Sequence, residues 1–210
     1  MINRLFFTLL LLILLPIVGF GSSLDHDSLF NLISESENDS IRITALINFA
    51  DDIDDDYPDS AYIFLEQAEK IALEINNKHM LALIHQKEGK IFDELNDYAE
   101  AMKFFMEARK DIESNEFFAE DSIFRVRYVE VINHIGIIYF KIEKFDESLE
   151  HLNSTIRFLQ EHNMLPDCEV YRTMYLKTYI NIGAVNIRTR KFTESEINYT
   201  KALALLDDTD

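Results

Sequence analysis

An all-α solenoid of about four antiparallel helix pairs is the fold class that this 210-residue sequence predicts. Three observations carry it. Beyond residue 23 only three glycines remain, Gly89, Gly136 and Gly183, and they stand 47 residues apart. Each heads the same frame: an aromatic nine residues on (Tyr98, Phe145, Phe192) and a small residue at twelve (Ala101, Ser148, Ser195). A large apolar residue follows at sixteen (Phe105, Leu152, Tyr199) and a second small one at nineteen (Ala108, Thr155, Ala202). A frame that recurs three times is an internal repeat, and a repeat sets the architecture before any single element does. Second, apolar residues step by three and four, as Ala101, Phe104, Phe105, Ala108 and Ile112 do, which gathers them on one helical face. Third, valine and threonine form no alternating runs, so strands have no support.

Residues 1–21 read as a secretory signal. Met1–Arg4 is positively charged, Leu5–Leu15 is apolar apart from Thr8, and Pro16 precedes the small-residue stretch Gly19-Phe20-Gly21-Ser22-Ser23. Cleavage is expected after Gly21, with Ser23 the second choice, which makes the chain exported, periplasmic or secreted. The apolar run is shorter than the roughly 20 residues a spanning helix needs, so no stable membrane span is expected after cleavage. An uncleaved N-terminal anchor is the alternative reading.

A capping helix is expected within residues 24–40, at about 25–34. The repeat domain then covers 41–210, with helix pairs at 41–54 and 58–76, 79–94 and 97–114, 121–142 and 145–162, and 168–189 and 193–207. Pro58 suits the first turn of its helix, where a missing N–H costs no internal hydrogen bond. Asp97 with Glu100, and Thr193 with Glu196, have capping-box spacing and mark helix starts. The connecting segments are too short and too poor in Ser and Gly to be interdomain linkers.

The repeat positions follow from helix crossing. A glycine in the first helix (Gly89, Gly136, Gly183) and small residues in the second (Ala101, Ala108, Ser148, Ser195, Ala202) let two backbones approach, and the large residues fill the holes beside them. Glycine inside a helix costs about 1 kcal/mol relative to alanine, so three in register imply a packing reason at each.

The stretch His85, Gly89, Phe92, Tyr98, Ala101, Phe105, Ala108 resembles the tetratricopeptide repeat. The resemblance extends over about residues 40–207, although the 47-residue spacing exceeds the family's usual 34. It implies a right-handed solenoid of the extended-repeat type found in exported bacterial sensory and regulatory proteins. It also implies a concave groove lined by the first helix of each pair. Carried over by position, the peptide-binding residues are Gln86, Lys87 and Lys90 from the first copy, Asn133 and His134 from the second, and Lys177, Asn181 and Arg188 from the third. Lys87, His134 and Asn181 each stand two residues before their glycine and are expected in one row. The family's carboxylate-clamp version is not reproduced, since only Lys177 of its five groups matches.

Removing the leader takes away only Arg4 among the charges, so the net moves from −18 to −19. So acidic a surface repels nucleic acid and anionic lipid. Against it, Lys87, Lys90, Lys177 and Arg188 would make the groove locally basic and suited to an acidic protein or peptide segment. In the run Asp51–Asp56, the alternate acids Asp52, Asp54 and Asp56 have calcium-loop spacing. Tyr57 stands in the glycine position and Ile63 in that of the closing glutamate, so a solvated turn is the better account. The six histidines pair with neither the lone Cys168 nor one another at metal-site spacing. No phosphate loop or serine elbow is present, so neither a metal, a cofactor nor an enzyme is expected.

Two readings of function remain. The first is an exported scaffold that binds a protein or peptide in its groove. The second is the sensory N-terminal part of a signal-transduction or transcription regulator, whose membrane and output regions lie outside this chain. Ile197, Tyr199, Leu203 and Leu206 leave an apolar face on the last helix, where a polar cap is usual, so a partner is also expected to dock at the C-terminal end.

Overall fold

The computed structural model describes residues 26–115, 118 and 121–207, and the expected leader lies outside them. The helices in chain order are α1 His26–Glu35, α2 Asp39–Ile53, α3 Pro58–Glu74, α4 Lys78–Glu94, α5 Tyr98–Glu113, α6 Ser122–Lys141, α7 Phe145–Glu161, α8 Glu169–Arg188 and α9 Phe192–Asp207. Among the described residues there is no strand. Each helix packs chiefly on its neighbour in sequence, and first helices of successive pairs also touch, α4 with α6 and α6 with α8. The result is an all-α helical solenoid whose core runs as successive apolar clusters along its length.

The glycine register has a direct steric cause. A Cβ added to Gly89 would lie 2.8 Å from the Phe105 ring, one on Gly136 2.9 Å from Leu152 Cγ, and one on Gly183 2.9 Å from the Tyr199 ring. The large residue sixteen positions on therefore rests on the bare backbone of its glycine. Phe105 and Leu152 are fully buried there, with Ala101, Ala108, Ser148 and Thr155 beside them. Serine in the small position is more than a substitute for alanine. Ser148 Oγ donates to the Gly136 carbonyl at 2.7 Å, and Ser195 Oγ to the Gly183 carbonyl at 3.0 Å. The carbonyl's second lone pair satisfies each buried hydroxyl.

The turns inside the pairs use no glycine. Asn96, Glu143 and Arg190, again 47 apart, each take φ 61°. The next N–H folds back onto the helix just ended: Asp97 to the Phe92 carbonyl at 2.9 Å, Lys144 to Tyr139 at 2.9 Å, and Lys191 to Asn186 at 2.8 Å. This left-handed closure satisfies carbonyls that the helix end would leave open. Asn76 and Asn163 close α3 and α7 in the same way.

Helix starts agree with the sequence in two places and differ in one. Pro58 opens α3, and the Asp97 side chain accepts from the Glu100 N–H at 3.2 Å. Thr193, however, lies inside the first turn of α9, which begins at Phe192. Register decides this: Lys191 stands where Asp97 and Lys144 precede their helices, so the turn at Arg190 sets the start and overrides the local Thr193–Glu196 spacing.

Candidate functional site

The groove residues expected from the sequence lie on α4, α6 and α8, and most of them tie one first helix to the next. Gln86 is buried at 2% exposure. Its Nε2 donates to Glu130 Oε2 at 2.8 Å, and its Oε1 accepts from Arg127 Nη1 at 3.1 Å. Lys87 Nζ reaches back to Asp51 on α2, 2.7 Å from Oδ2. Asn133 Nδ2 donates to Thr178 Oγ1 at 2.6 Å, while its Oδ1 accepts from Asn181 Nδ2 at 3.0 Å. Arg188 Nη2 donates to Glu143 Oε1 at 2.8 Å and lies over the Phe140 and Phe145 rings, 5.8 and 5.7 Å from their centroids.

The row of Lys87, His134 and Asn181 is therefore not a row of free side chains. Lys87 is neutralised by Asp51, Asn181 is bonded to Asn133, and His134 stacks on Phe105 with rings 5.0 Å apart and 1° from parallel. Two of the four expected cations, Lys87 and Arg188, already hold carboxylates. The other two, Lys90 on α4 and Lys177 on α8, have no ion pair among the described residues. Both act electrostatically on His134, which lies on the helix between theirs. Burial first, then Lys90, Lys177 and Lys141, push the His134 imidazole down to about 3, so it stays neutral. Lys141 itself is held by Asp93 at 2.6 Å. The geometry thus singles out Lys90 and Lys177, acting on the neutral His134, as the cations of this expected set without an ion pair among the described residues.

A second polar cluster, between α3, α4 and α5, was not singled out by sequence. His85 Nδ1 lies 2.8 Å from Asp111 Oδ2, and Nε2 3.2 Å from Glu69 Oε1. Burial pushes His85 down, but hydrogen bonds to Asp111 and Glu69 outweigh it and raise the imidazole to about 9. Glu88, one turn on, is fully buried, and neither carboxyl oxygen has a hydrogen-bond partner. Burial, with Glu69, Glu107 and Glu66 nearby, pushes its carboxyl up to about 8, so it is largely protonated at neutral pH. The repeat carried no signal for this cluster, because Glu69 and Asp111 come from second helices on either side.

The acidic run closes α2. Asp51 binds Lys87, and Asp54 is pushed up by burial and by Asp51. Among the described residues no group of three or more His, Cys, Asp or Glu side chains converges as metal ligands. Cys168 is exposed at the start of α8. No helix among the described residues is long and apolar enough to cross a membrane.

Comparison with known proteins now bears on this geometry. The family profile of the tetratricopeptide repeat matches residues 82–108, the stretch in which Gly89 meets Phe105. Over that stretch the chain is similar to one tetratricopeptide repeat. BtubC (BKLC) from P. vanneervenii, a solved structure, shares the fold with a TM-score of 0.68 at 21% identity, over 87% of this chain and 70% of that one. No curated protein matches the chain. Tetratricopeptide repeats mediate protein–protein interaction, and the family is a scaffold family without catalytic chemistry. In this helical solenoid the first-helix face is mostly self-satisfied, and Lys90 and Lys177 are the exceptions among the expected residues.

Proposed function

We propose that this chain is an exported tetratricopeptide scaffold that holds an acidic protein segment on its first-helix face, between Lys90 and Lys177. One observation carries the reading. On a chain of net charge −18, these two cations form no ion pair among the described residues, and both act on a neutral, mostly buried imidazole. A carboxylate arriving beside His134 would be attracted by both ammonium groups, since each acts on that imidazole. The leader composition of residues 1–21 supports export. The family's general role supports a protein partner, and the charge pattern supports an acidic one.

Titration with a fluorescently labelled glutamate-rich peptide tests this. Lys90→Glu with Lys177→Glu should weaken binding at least about tenfold, and the wild-type affinity should fall as salt rises. Lys87→Glu should have a smaller effect, because Lys87 is already spent on Asp51. Equal binding by the wild type and the Lys90/Lys177 variant would discard the site and leave the fold untouched.

A further inference from the structure

The groove over α4, between α3 and α5, holds more acid than its own cations answer. α4 packs on both neighbours, and the Tyr62 ring of α3 meets Phe92 of α4 and Phe104 of α5 with centroids 5.2 and 6.1 Å apart. Carboxylates from both walls join this aromatic base. Glu69 of α3 and Asp111 of α5 take the two ring nitrogens of His85. Glu66 is exposed, Glu107 is half-buried, and neither forms an ion pair among the described residues.

Glu88 is the independent sign of a ligand. It is fully buried, both its carboxyl oxygens lack a hydrogen-bond partner, and it feels Glu69, Glu107 and Glu66 across the groove. His85 cannot answer it, because a charged imidazole has two N–H groups and both are committed to Glu69 and Asp111. A buried carboxyl without a donor is costly, and here the donor is left for a ligand to supply.

The chemistry of that ligand is also marked. Lys103 Nζ rests 4.7 Å from the Phe104 centroid, bonded to Glu100 at 2.9 Å and drawn by Glu107 and Glu88. A cation therefore already sits on the aromatic edge of the groove, on a flexible and exposed stem. The acids do not converge as metal ligands, so the occupant is broader than an ion. A guanidinium suits such a site: its planar fork of five N–H groups bridges separate carboxylates while its face stacks on a ring.

We propose that this groove seats an arginine side chain of a basic partner segment, whose guanidinium displaces Lys103 from the Phe104 ring and donates to Glu66, Glu107 and Glu88. The surface is separate from the Lys90–Lys177 face and takes the opposite charge. Burial and the surrounding acids raise the Glu88 carboxyl to about 8, so an arriving cation draws a proton from it.

Fluorescence anisotropy with a labelled arginine-rich peptide, titrated into the full chain, tests this. Saturable binding is expected. Glu66→Gln with Glu107→Gln should weaken it at least about tenfold. Asp146→Asn with Glu147→Gln removes the same charge from exposed positions on α7 and should change it less than about twofold. Lys103→Gln should tighten binding, because the competing ammonium is gone. Glu88→Gln keeps the shape of the neutral acid, and so the fold. It should remove most of the tightening that the wild type shows as pH rises through about 8. No saturable binding by the wild type, or unchanged affinity in the groove variants, overturns the proposal. An equal loss in the α7 variant, a parallel pH profile for Glu88→Gln, or equal binding of a lysine-rich peptide also overturns it, because net charge alone then holds the ligand.

Discussion

Two histidines on neighbouring first helices, both largely removed from water, end in opposite charge states. His85 sits between α3 and α5, with the Asp111 and Glu69 carboxylates 2.8 and 3.2 Å away, and is raised to about 9. His134 sits on α6, flat on Phe105 of α5, within the influence of Lys90, Lys177 and Lys141, and is lowered to about 3. Burial pushes both the same way; the surrounding charges decide the outcome. The lesson concerns the whole array. Carboxylates crowd the imidazole between α3 and α5, and lysines act on the one on α6, so a net charge of −18 conceals local surroundings of opposite sign.

The comparison breaks most strongly at Phe105. Phe105→Ala removes the ring that covers Gly89 and stacks on His134, and should cost about 3–5 kcal/mol in denaturant unfolding. His134 then gains water, and its NMR titration midpoint should climb toward the ordinary imidazole value. An unchanged midpoint would mean that the lysines alone, rather than burial, hold it down.

Unfolding across pH sharpens the contrast. His85 keeps its proton when folded up to about pH 9, whereas the unfolded chain loses it near 6.5, so its stabilisation is full below 6.5 and is lost as pH rises through 9. Glu88 acts in the same direction, holding from 4.5 to about 8 a proton that the unfolded chain has released. His134 acts oppositely: its contribution is full above 6.5 and is lost as pH falls toward 3. Each proton difference is worth on the order of 1.4 kcal/mol per pH unit. Asp111→Asn should flatten the His85 part of the alkaline decline and cost about 1–3 kcal/mol at neutral pH, leaving the acid side alone. Parallel pH profiles for the variant and the wild type would show that His85 is not the group responsible.

The smallest expected effect is a gain that leaves both histidines undisturbed. Arg190 holds φ 61°, a conformation unfavourable for a side chain with a Cβ. Arg190→Gly should stabilise by about 0.5–1 kcal/mol, read as a higher midpoint with both histidine titrations unmoved.

Much of this fold was legible because its signals are local or periodic. Helical stepping and the 47-residue glycine frame placed every helix end to within two residues. The misplaced α9 start shows the limit of a four-residue motif: Thr193–Glu196 has the right spacing, but the turn at Arg190 had already committed the chain. Lys90, His134 and Lys177 were nominated by register. What register could not show was which carboxylates would answer which cations. Asp51, Asp93 and Glu143 lie 36, 48 and 45 residues from Lys87, Lys141 and Arg188. Charge is abundant in the sequence, and only the packed helices choose the partners. Glu88 was equally hidden, since nothing in its own helix marks a glutamate that neighbouring helices seal from water.

The rungs between first helices have a mechanical consequence. Asp51–Lys87, Asp93–Lys141 and Glu143–Arg188 each join only adjacent repeats, so tension along the array loads them in series. The Glu143–Arg188 rung is the most exposed, with side chains 69% and 53% accessible, and is the one most weakened by salt. Pulled from its ends, the molecule should lengthen in steps and yield first at the Glu143–Arg188 rung, so it behaves as a graded spring.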